Sequence, residues 1–501
     1  MSSGTRISRR SLLRVGGGAV IGMALPLRGR SWATTNTIEK RLTAAPGRVA
    51  LAGSEYPETG VWCYSGGVPG PEIRLRQGER VRIVAENRLP EDTTIHWHGV
   101  RVPNPMDGAP YVTQPPIQPN ESFTYEFTAP DAGTYWYHPH DHSSEQVGRG
   151  LMGAFIVEEP EPLPVDRDVV WVLGDFRLKE DESIAGGFDN RMEMSMAGRI
   201  GNTVTINGEV PDRFHVRSGE RIRLRLINAA PARIFGLVFK DHSPLVIALD
   251  GQPIEPHTPA GGRVVIGPAM RIDLLFDMSA KPRTTVPVID NFYERLSYKL
   301  VDLSYTNESP LRTELPPPPA KLPANPIPEP DVATARHHDV TLTGGMMGGM
   351  GMGGGMRGMM GNMGGMMGGG GMMGNGMMGQ GGMRGMKMGG SMWAINGVAM
   401  PADDMAHMKP VLTLDRGKSY VLAIDNRTAW YHPIHLHGHS FRVITRNGRP
   451  TRYREWRDTV LIPPRERAEV ALVADNPGDW MFHCHILDHQ EGGMMSIIRV
   501  A

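Results

Sequence analysis

The chain has 501 residues, enough for about three domains of 100–200 residues each. Its 53 basic and 53 acidic side chains balance, which excludes the basic surface of a nucleic-acid binder. Two cysteines, Cys63 and Cys484, exclude a disulfide-rich scaffold and any four-thiolate metal site.

At the N-terminus, Arg6, Arg9, Arg10 and Arg14 precede an apolar, glycine-rich run over 15–27. That run is too short to span a bilayer well. Ser31, Trp32 and Ala33 offer a small-residue cleavage site, and Ser8 to Leu13 resembles a twin-arginine signal. Residues 1–33 therefore read as an export signal, the alternative being an anchor that is never cleaved. Cleavage would leave 47 basic against 53 acidic residues, a net charge of −6. No later segment reaches about 18 apolar residues, so a periplasmic or otherwise exported protein without a stable membrane anchor is expected.

Three segments share one pattern: residues 78–87, 219–228 and 417–426, each opening on glycine and ending on Asn87, Asn228 or Asn426. The first two alternate apolar and charged residues, as a half-buried strand does; the third is more continuously apolar. The asparagines lie 141 and 198 residues apart, which predicts three similar β domains with an insertion before the last. Long helical periodicity is absent. Boundaries are expected near residue 160 and at the proline-rich stretch 316–330, which reads as a stiff linker. The domains are then 34–160, 161–315 and 331–501.

Nine residues beyond Asn87 comes His96, with His98 two further on, and nine beyond Asn426 comes His435, with His437. In the second repeat the matching positions hold Leu237 and Phe239. A second pair follows in the same two domains, His138 with His140 and His483 with His485. On a strand, i and i+2 share a face, so each pair presents two imidazoles in one direction. Eight imidazoles in a cleft between the first and third domains are too many for one metal, and they suit copper, zinc, iron or nickel. His432, Cys484, His489 and Met494 add two imidazoles, one thiolate and a weak axial thioether, the donor set of a blue-copper site. On a strand Cys484 points away from the faces of His483 and His485, so one short covalent path joins the two centres. A zinc site leaves Met494 and the lone thiolate unexplained. The scattered histidines His142, His215, His242, His257, His337, His338, His407 and His439 read as surface or satisfied core residues, and Cys63 as a buried small hydrophobe.

At His96–Gly99, Trp136–His140, His432–His439 and His483–His489 with Met494 and Met495, the sequence resembles the multicopper oxidase family, which includes laccases and bacterial cuprous oxidases. The resemblance covers nearly the whole chain after residue 33. It implies an all-β protein of three cupredoxin-like Greek-key β-sandwich domains, the second without copper ligands. It implies four copper ions: type 1 on His432, Cys484, His489 and Met494; type 2 on His96 and His435; and type 3 on His98, His138 and His485 for one ion and His140, His437 and His483 for the other. The implied activity passes single electrons from a small reductant through Cys484 and reduces O2 to water. Asp107 stands where the family keeps a proton-relaying acid. The family's second acid directly follows the last type 1 histidine; here that residue is Gln490, and Glu491 comes one later. Asp458 reads equally as a residue orienting a ligand and as a structural one.

Residues 344–392 hold 18 of the 33 methionines and 24 glycines in 49 positions, which predicts a mobile insertion without a packed core. Thioethers are soft ligands for Cu(I), so additional Cu(I) bound and delivered by this segment is expected. The alternatives are a tolerated low-complexity expansion and sacrificial methionine. The segment resembles the methionine-rich insert of bacterial copper-tolerance oxidases. Those enzymes often keep an aspartate and a methionine before the first type 1 histidine, whereas 426–431 here has neither; Asp403, Asp404, Met405 and Met408 are candidate replacements. The leading expectation is an exported cuprous oxidase, acting as a monomer in copper tolerance. A laccase-like oxidase of phenols and aromatic amines and a non-catalytic copper-sequestering protein are the alternatives.

Overall fold

The computed structural model describes residues 37–317, 321–346, 392–400 and 409–501. Residues 1–36, most of the methionine-rich segment and the Asp403–Met408 stretch lie outside the described residues, and so do the expectations placed on them.

The described chain folds into three cupredoxin-like sandwiches, each of two sheets. Each repeat strand occupies the same place. Arg80–Asn87 pairs parallel with Ile38–Val49 and antiparallel with Ser122–Thr128. Arg221–Asn228 does so with Arg167–Phe176 and Arg271–Asp277, and Ser419–Asn426 with Arg336–Gly344 and Arg467–Val473. The parallel pairs require crossovers, which is the Greek-key signature here.

The shared asparagines are turn staples. All three are fully buried. Each donates its amide to two or more carbonyls of the following loop and a neighbouring strand: Asn87 to Glu91 and Ile117, Asn228 to Arg233 and Ile266, Asn426 to Trp430, Ile462 and Pro463. Each accepts from the backbone N–H two residues on, at Leu89, Ala230 or Thr428. The same side chain thus sets the path of the chain toward the next strand in all three sandwiches. That next strand bears His96 in the first and His432–Leu436 in the third; in the second, Leu237 and Phe239 simply join the apolar core.

One expectation needs correction. The first repeat strand alternates buried and half-exposed residues, but Arg221–Asn228 is buried along its whole length. The first sandwich covers its charged face. Arg223 forms ion pairs with Glu159 and Asp273, and Arg225 with Asp168 and Asp273 while donating to Thr134. Buried arginines survive because every charge is paired. A further apolar cluster, including Leu51, Cys63, Trp136, Ile227 and Leu487, joins residues of all three sandwiches. Cys63 is buried and unpaired, as a small hydrophobe. The stretch after 320 is anchored: Asn325 bonds Ala132 and Gln252, and Glu329 pairs with Arg442. Among the described residues the helices are short, the longest being Ser143–Gly148. Among the described residues no helix is long and apolar enough to cross a membrane.

Candidate metal centre

The histidine pairs sit on matched strands of the first and third sandwiches. His96–His98 pairs antiparallel with Gly133–His138, putting His96 opposite His138. His432–Leu436 pairs with Gly478–Cys484, putting His435 opposite His483. Packed together, these strands bring the donors into groups whose ligand atoms lie within 4.8 Å of one another: His96, His98 and His435; His98, His138 and His485; His140, His437 and His483; and His432, Cys484 and His489. All are buried.

The tautomers follow from the outer hydrogen bonds. A carbonyl oxygen only accepts, so an imidazole nitrogen facing one carries the proton. Nδ1–H donates to the Asp107 carbonyl from His96 (2.8 Å), to Pro139 from His138 (2.8 Å), to Asp458 from His435 (2.8 Å) and to Cys484 from His483 (3.0 Å). His437 donates Nδ1–H to the Asp107 carboxylate at 2.8 Å. Each of these rings therefore turns an unprotonated Nε2 inward. The Nε2 atoms of His96 and His435 are buried with no hydrogen-bond partner, as a lone pair awaiting a cation would be. The inward Nε2 of His483 lies 3.1 Å from that of His437 and 3.3 Å from that of His140; His485 and His138 approach to 3.3 Å. His98 is reversed: its Nε2 faces the Thr459 hydroxyl at 3.0 Å and an Asp458 oxygen at 3.2 Å, leaving Nδ1 without a partner. Burial, with the neighbouring imidazoles, holds His98, His138, His140, His437, His483 and His485 well below the ordinary histidine range. Neutral imidazoles at this density form a nitrogen-rich cage for metal.

The second centre lies on the other face of the same strand. Cys484 Sγ is 3.4 Å from His432 Nδ1 and 3.6 Å from His489 Nδ1, which are 3.1 Å apart. Burial pushes the Cys484 thiol far up, so its thiolate requires a neighbouring cation. Met494 is fully buried, and its backbone bonds both Cys484 and His489. Asp107 is buried against His96 and His437, its second oxygen 3.3 Å from His96 Nδ1. Glu491 stands outside these groups; its carboxylate accepts from the Ser144 backbone, and burial pushes it up to about 8.

Several contributors carry no signal in a histidine search. The Thr428 hydroxyl lies 2.8 Å from His432 Nε2, and the Met196 carbonyl 2.7 Å from His489 Nε2. Trp393 packs on both rings, at centroid distances of 5.1 and 4.3 Å, and donates its indole N–H to Met194. Asp458 binds Arg271 of the second sandwich through both oxygens. Thr428 does not stand out in the sequence, and Met196, Trp393 and Arg271 become visible only when the sandwiches are packed.

The multicopper oxidase family matches the chain in three stretches, residues 47–162, 167–294 and 382–501. The multicopper oxidase MmcO of Mycobacterium tuberculosis is 29% identical over 491 residues, covering 91% of this chain and 86% of that protein. Copper resistance protein A of Escherichia coli is 27% identical over 577 residues, covering 92% of each. A crystal structure of a multicopper oxidase from Pseudomonas thermotolerans superposes with a TM-score of 0.77 at 34% identity, covering 93% of this chain and 99% of that one.

Proposed function

Because the chain belongs to the multicopper oxidase family, and so is a copper-dependent oxidase, we propose that it is an exported cuprous oxidase that couples oxidation of Cu(I) to reduction of O2. In this reading residues 1–33 are a twin-arginine signal and the exported chain comprises sandwiches over 34–160, 161–315 and 331–501. His432, Cys484, His489 and Met494 hold the type 1 copper. His96 and His435 hold type 2. His98, His138 and His485 hold one type 3 copper, and His140, His437 and His483 the other. Four coppers bound in this way supply one-electron acceptance from the reductant and four-electron reduction of O2 to two waters.

The observation that carries the assignment is Cys484, whose sulfur faces His432 and His489 while its chain neighbours His483 and His485 face the imidazole cage. The backbone at 483–485 links the two donor sets covalently. Burial holds the cage imidazoles neutral and the outer carbonyls aim them inward, so little reorganisation accompanies metal binding. Asp107 accepts the Nδ1–H of His437 and is placed to relay a proton to the cage interior. Glu491, kept protonated near neutral pH by burial, is the candidate for the second proton donor.

The cuprous reading draws on composition and on where the methionine-rich segment begins and ends. Its first methionine, Met346, donates its amide to Ser195 at 2.8 Å, and its carbonyl accepts from Trp430 Nε1. At the other end Met392 donates to Gly492, beside Trp393. Both described ends, Met346 and Met392, are thus tied to elements that neighbour His432 and His489, and a thioether is a soft ligand suited to Cu(I). The copper-resistance relative supports the same reading. The oxidation would turn Cu(I) into the less membrane-permeant Cu(II).

The test is oxygen consumption by the copper-loaded protein with Cu(I) or a dimethoxyphenol, with and without residues 347–391. Preference for Cu(I) that falls on deletion is expected. A preference for the phenol, unchanged by deletion, would make the protein a laccase-like oxidase. Copper uptake without oxygen consumption would make it a sequestering protein.

A further inference from the structure

We propose that Arg271, from the sandwich that carries no copper ligand, is the positioning residue for His98 and His435, acting through Asp458. It rests on the copper assignment above and extends it to a residue outside the ligand set.

Arg271 begins the strand Arg271–Asp277 and is wholly buried at the junction of the three sandwiches. Its guanidinium donates Nε–H to the Thr134 carbonyl of the first sandwich at 3.1 Å and Nη1–H to Ala269 of the second at 3.1 Å. The two terminal nitrogens grip Asp458 of the third sandwich, Nη1 on Oδ1 at 2.8 Å and Nη2 on Oδ2. A planar fork on both oxygens prevents the carboxylate from rotating.

What Asp458 does with its remaining acceptors gives the clamp its role. Oδ1 lies 3.2 Å from His98 Nε2 and accepts the Thr459 hydroxyl at 2.8 Å. The Asp458 carbonyl accepts Nδ1–H of His435 at 2.8 Å. Asp458 therefore addresses opposite nitrogens of two stacked rings, whose centroids are 3.8 Å apart. It turns His98 Nδ1 inward and His435 Nε2 inward. Among the cage rings with an outer oxygen partner, His98 alone is reversed, and the Asp458–Thr459 pair accounts for it. A lysine in place of Arg271 supplies charge but no fork, and a neutral residue frees the carboxylate to rotate away from His98.

Gly99, beside His98, is shaped to this clamp. Its φ is +84°, and a Cβ there would lie 2.3 Å from Arg271 Nη2 and 2.5 Å from Asp458 Oδ2. The clamp is also backed from behind. Asp250 accepts the Arg271 backbone N–H at 2.9 Å, and Arg457 stands 3.5 Å from the same Asp250 oxygen.

The experiment follows each copper of the loaded, full-length protein during titration with a copper chelator. The type 1 ion is read by its blue absorbance and the type 2 ion by its paramagnetic resonance signal. Arg271→Met and Gly99→Ala are compared with wild type. Arg271→Lys tests rescue by charge, and Arg223→Met breaks a buried ion pair away from the cage as a control. Loss of an outer partner of a ligand costs about 10–100-fold in metal affinity. Arg271→Met is expected to shift the type 2 midpoint by that factor, with the type 1 midpoint within about twofold of wild type. Arg271→Lys should recover part of the loss, and Arg223→Met should lower the melting temperature without a selective type 2 loss. Should Arg271→Met fail to fold, Gly99→Ala and Arg271→Lys carry the test by the same selective loss. Equal type 2 midpoints in variants and wild type would overturn the proposal alone. So would parallel loss of both coppers in proportion to the melting temperature, which marks a purely structural role. A wild-type protein with no type 2 signal would overturn the copper assignment itself, and this proposal with it.

Discussion

Thr428→Val tests how the electron-accepting centre is aimed. The fully buried hydroxyl has one proton and two lone pairs, and the structure uses all three. It donates to Asn426 Oδ1 at 2.8 Å and accepts from the Trp430 backbone N–H at 3.1 Å and from His432 Nε2–H at 2.8 Å. The His432 proton sits on Nε2 because Nδ1 faces Cys484. Valine has nearly the same shape, so the change removes bonds without opening a cavity. Two buried donors, on Trp430 and His432, lose their acceptor, at about 1–3 kcal/mol each. We expect a destabilisation of about 3 kcal/mol and a type 1 copper affinity lower by about 10–100-fold, which is about 1.4–2.7 kcal/mol. The assay is chelator titration of the blue absorbance, alongside denaturant unfolding. Thr428→Ser restores the hydroxyl and should return the midpoint to within about threefold of wild type. If the valine variant gives the wild-type midpoint, the hydroxyl does not orient His432 and the reasoning fails.

Three further outcomes follow from the same structure. Asn228→Ala removes a staple from the second sandwich; three lost hydrogen bonds should cost about 3 kcal/mol and lower the melting temperature by about 6–12 °C, with copper content unchanged, and a loss below about 1 kcal/mol in denaturant unfolding refutes the staple. Asp107→Asn keeps an oxygen near His437 but cannot carry a proton, so O2 reduction measured in single turnover should slow by about 100-fold while reduction of the blue centre keeps its rate; a change under about threefold removes Asp107 from the proton path. Stripping copper should lower stability by about 4 kcal/mol relative to protein in free copper 1,000-fold above its dissociation constant, read by calorimetry, and identical unfolding of the two forms would argue that the cage does not bind copper.

The candidate ligand residues were legible because donor chemistry and strand periodicity are local. A His-Xaa-His pair on a strand faces one way whatever surrounds it, and Cys484 between two histidines faces the other. The repeat was legible for the same kind of reason: Asn87, Asn228 and Asn426 each bond within a few residues of themselves, so their spacing carries the three-sandwich plan. The arginines of the second repeat show where local reasoning stops. Their alternation with apolar residues reads as a half-buried strand, yet Arg223 and Arg225 are buried, because partners that neutralise them come from Glu159, Asp168 and Asp273, up to 64 residues away.

What the amino-acid order determined by itself is therefore the donor set, the repeat and the copper family. Tertiary structure alone decided which nitrogen of His437 and His98 turns inward, since that depends on an oxygen supplied from hundreds of residues away: Asp107 for His437, and Asp458 with Thr459 for His98. It also decided that the second sandwich reaches the imidazole cage through Arg271 and the His432, Cys484 and His489 group through Met196. A guanidinium or a backbone carbonyl has no distinctive pattern in a sequence. It acquires its role only when burial removes water as the competing partner and leaves one group of the right charge within reach.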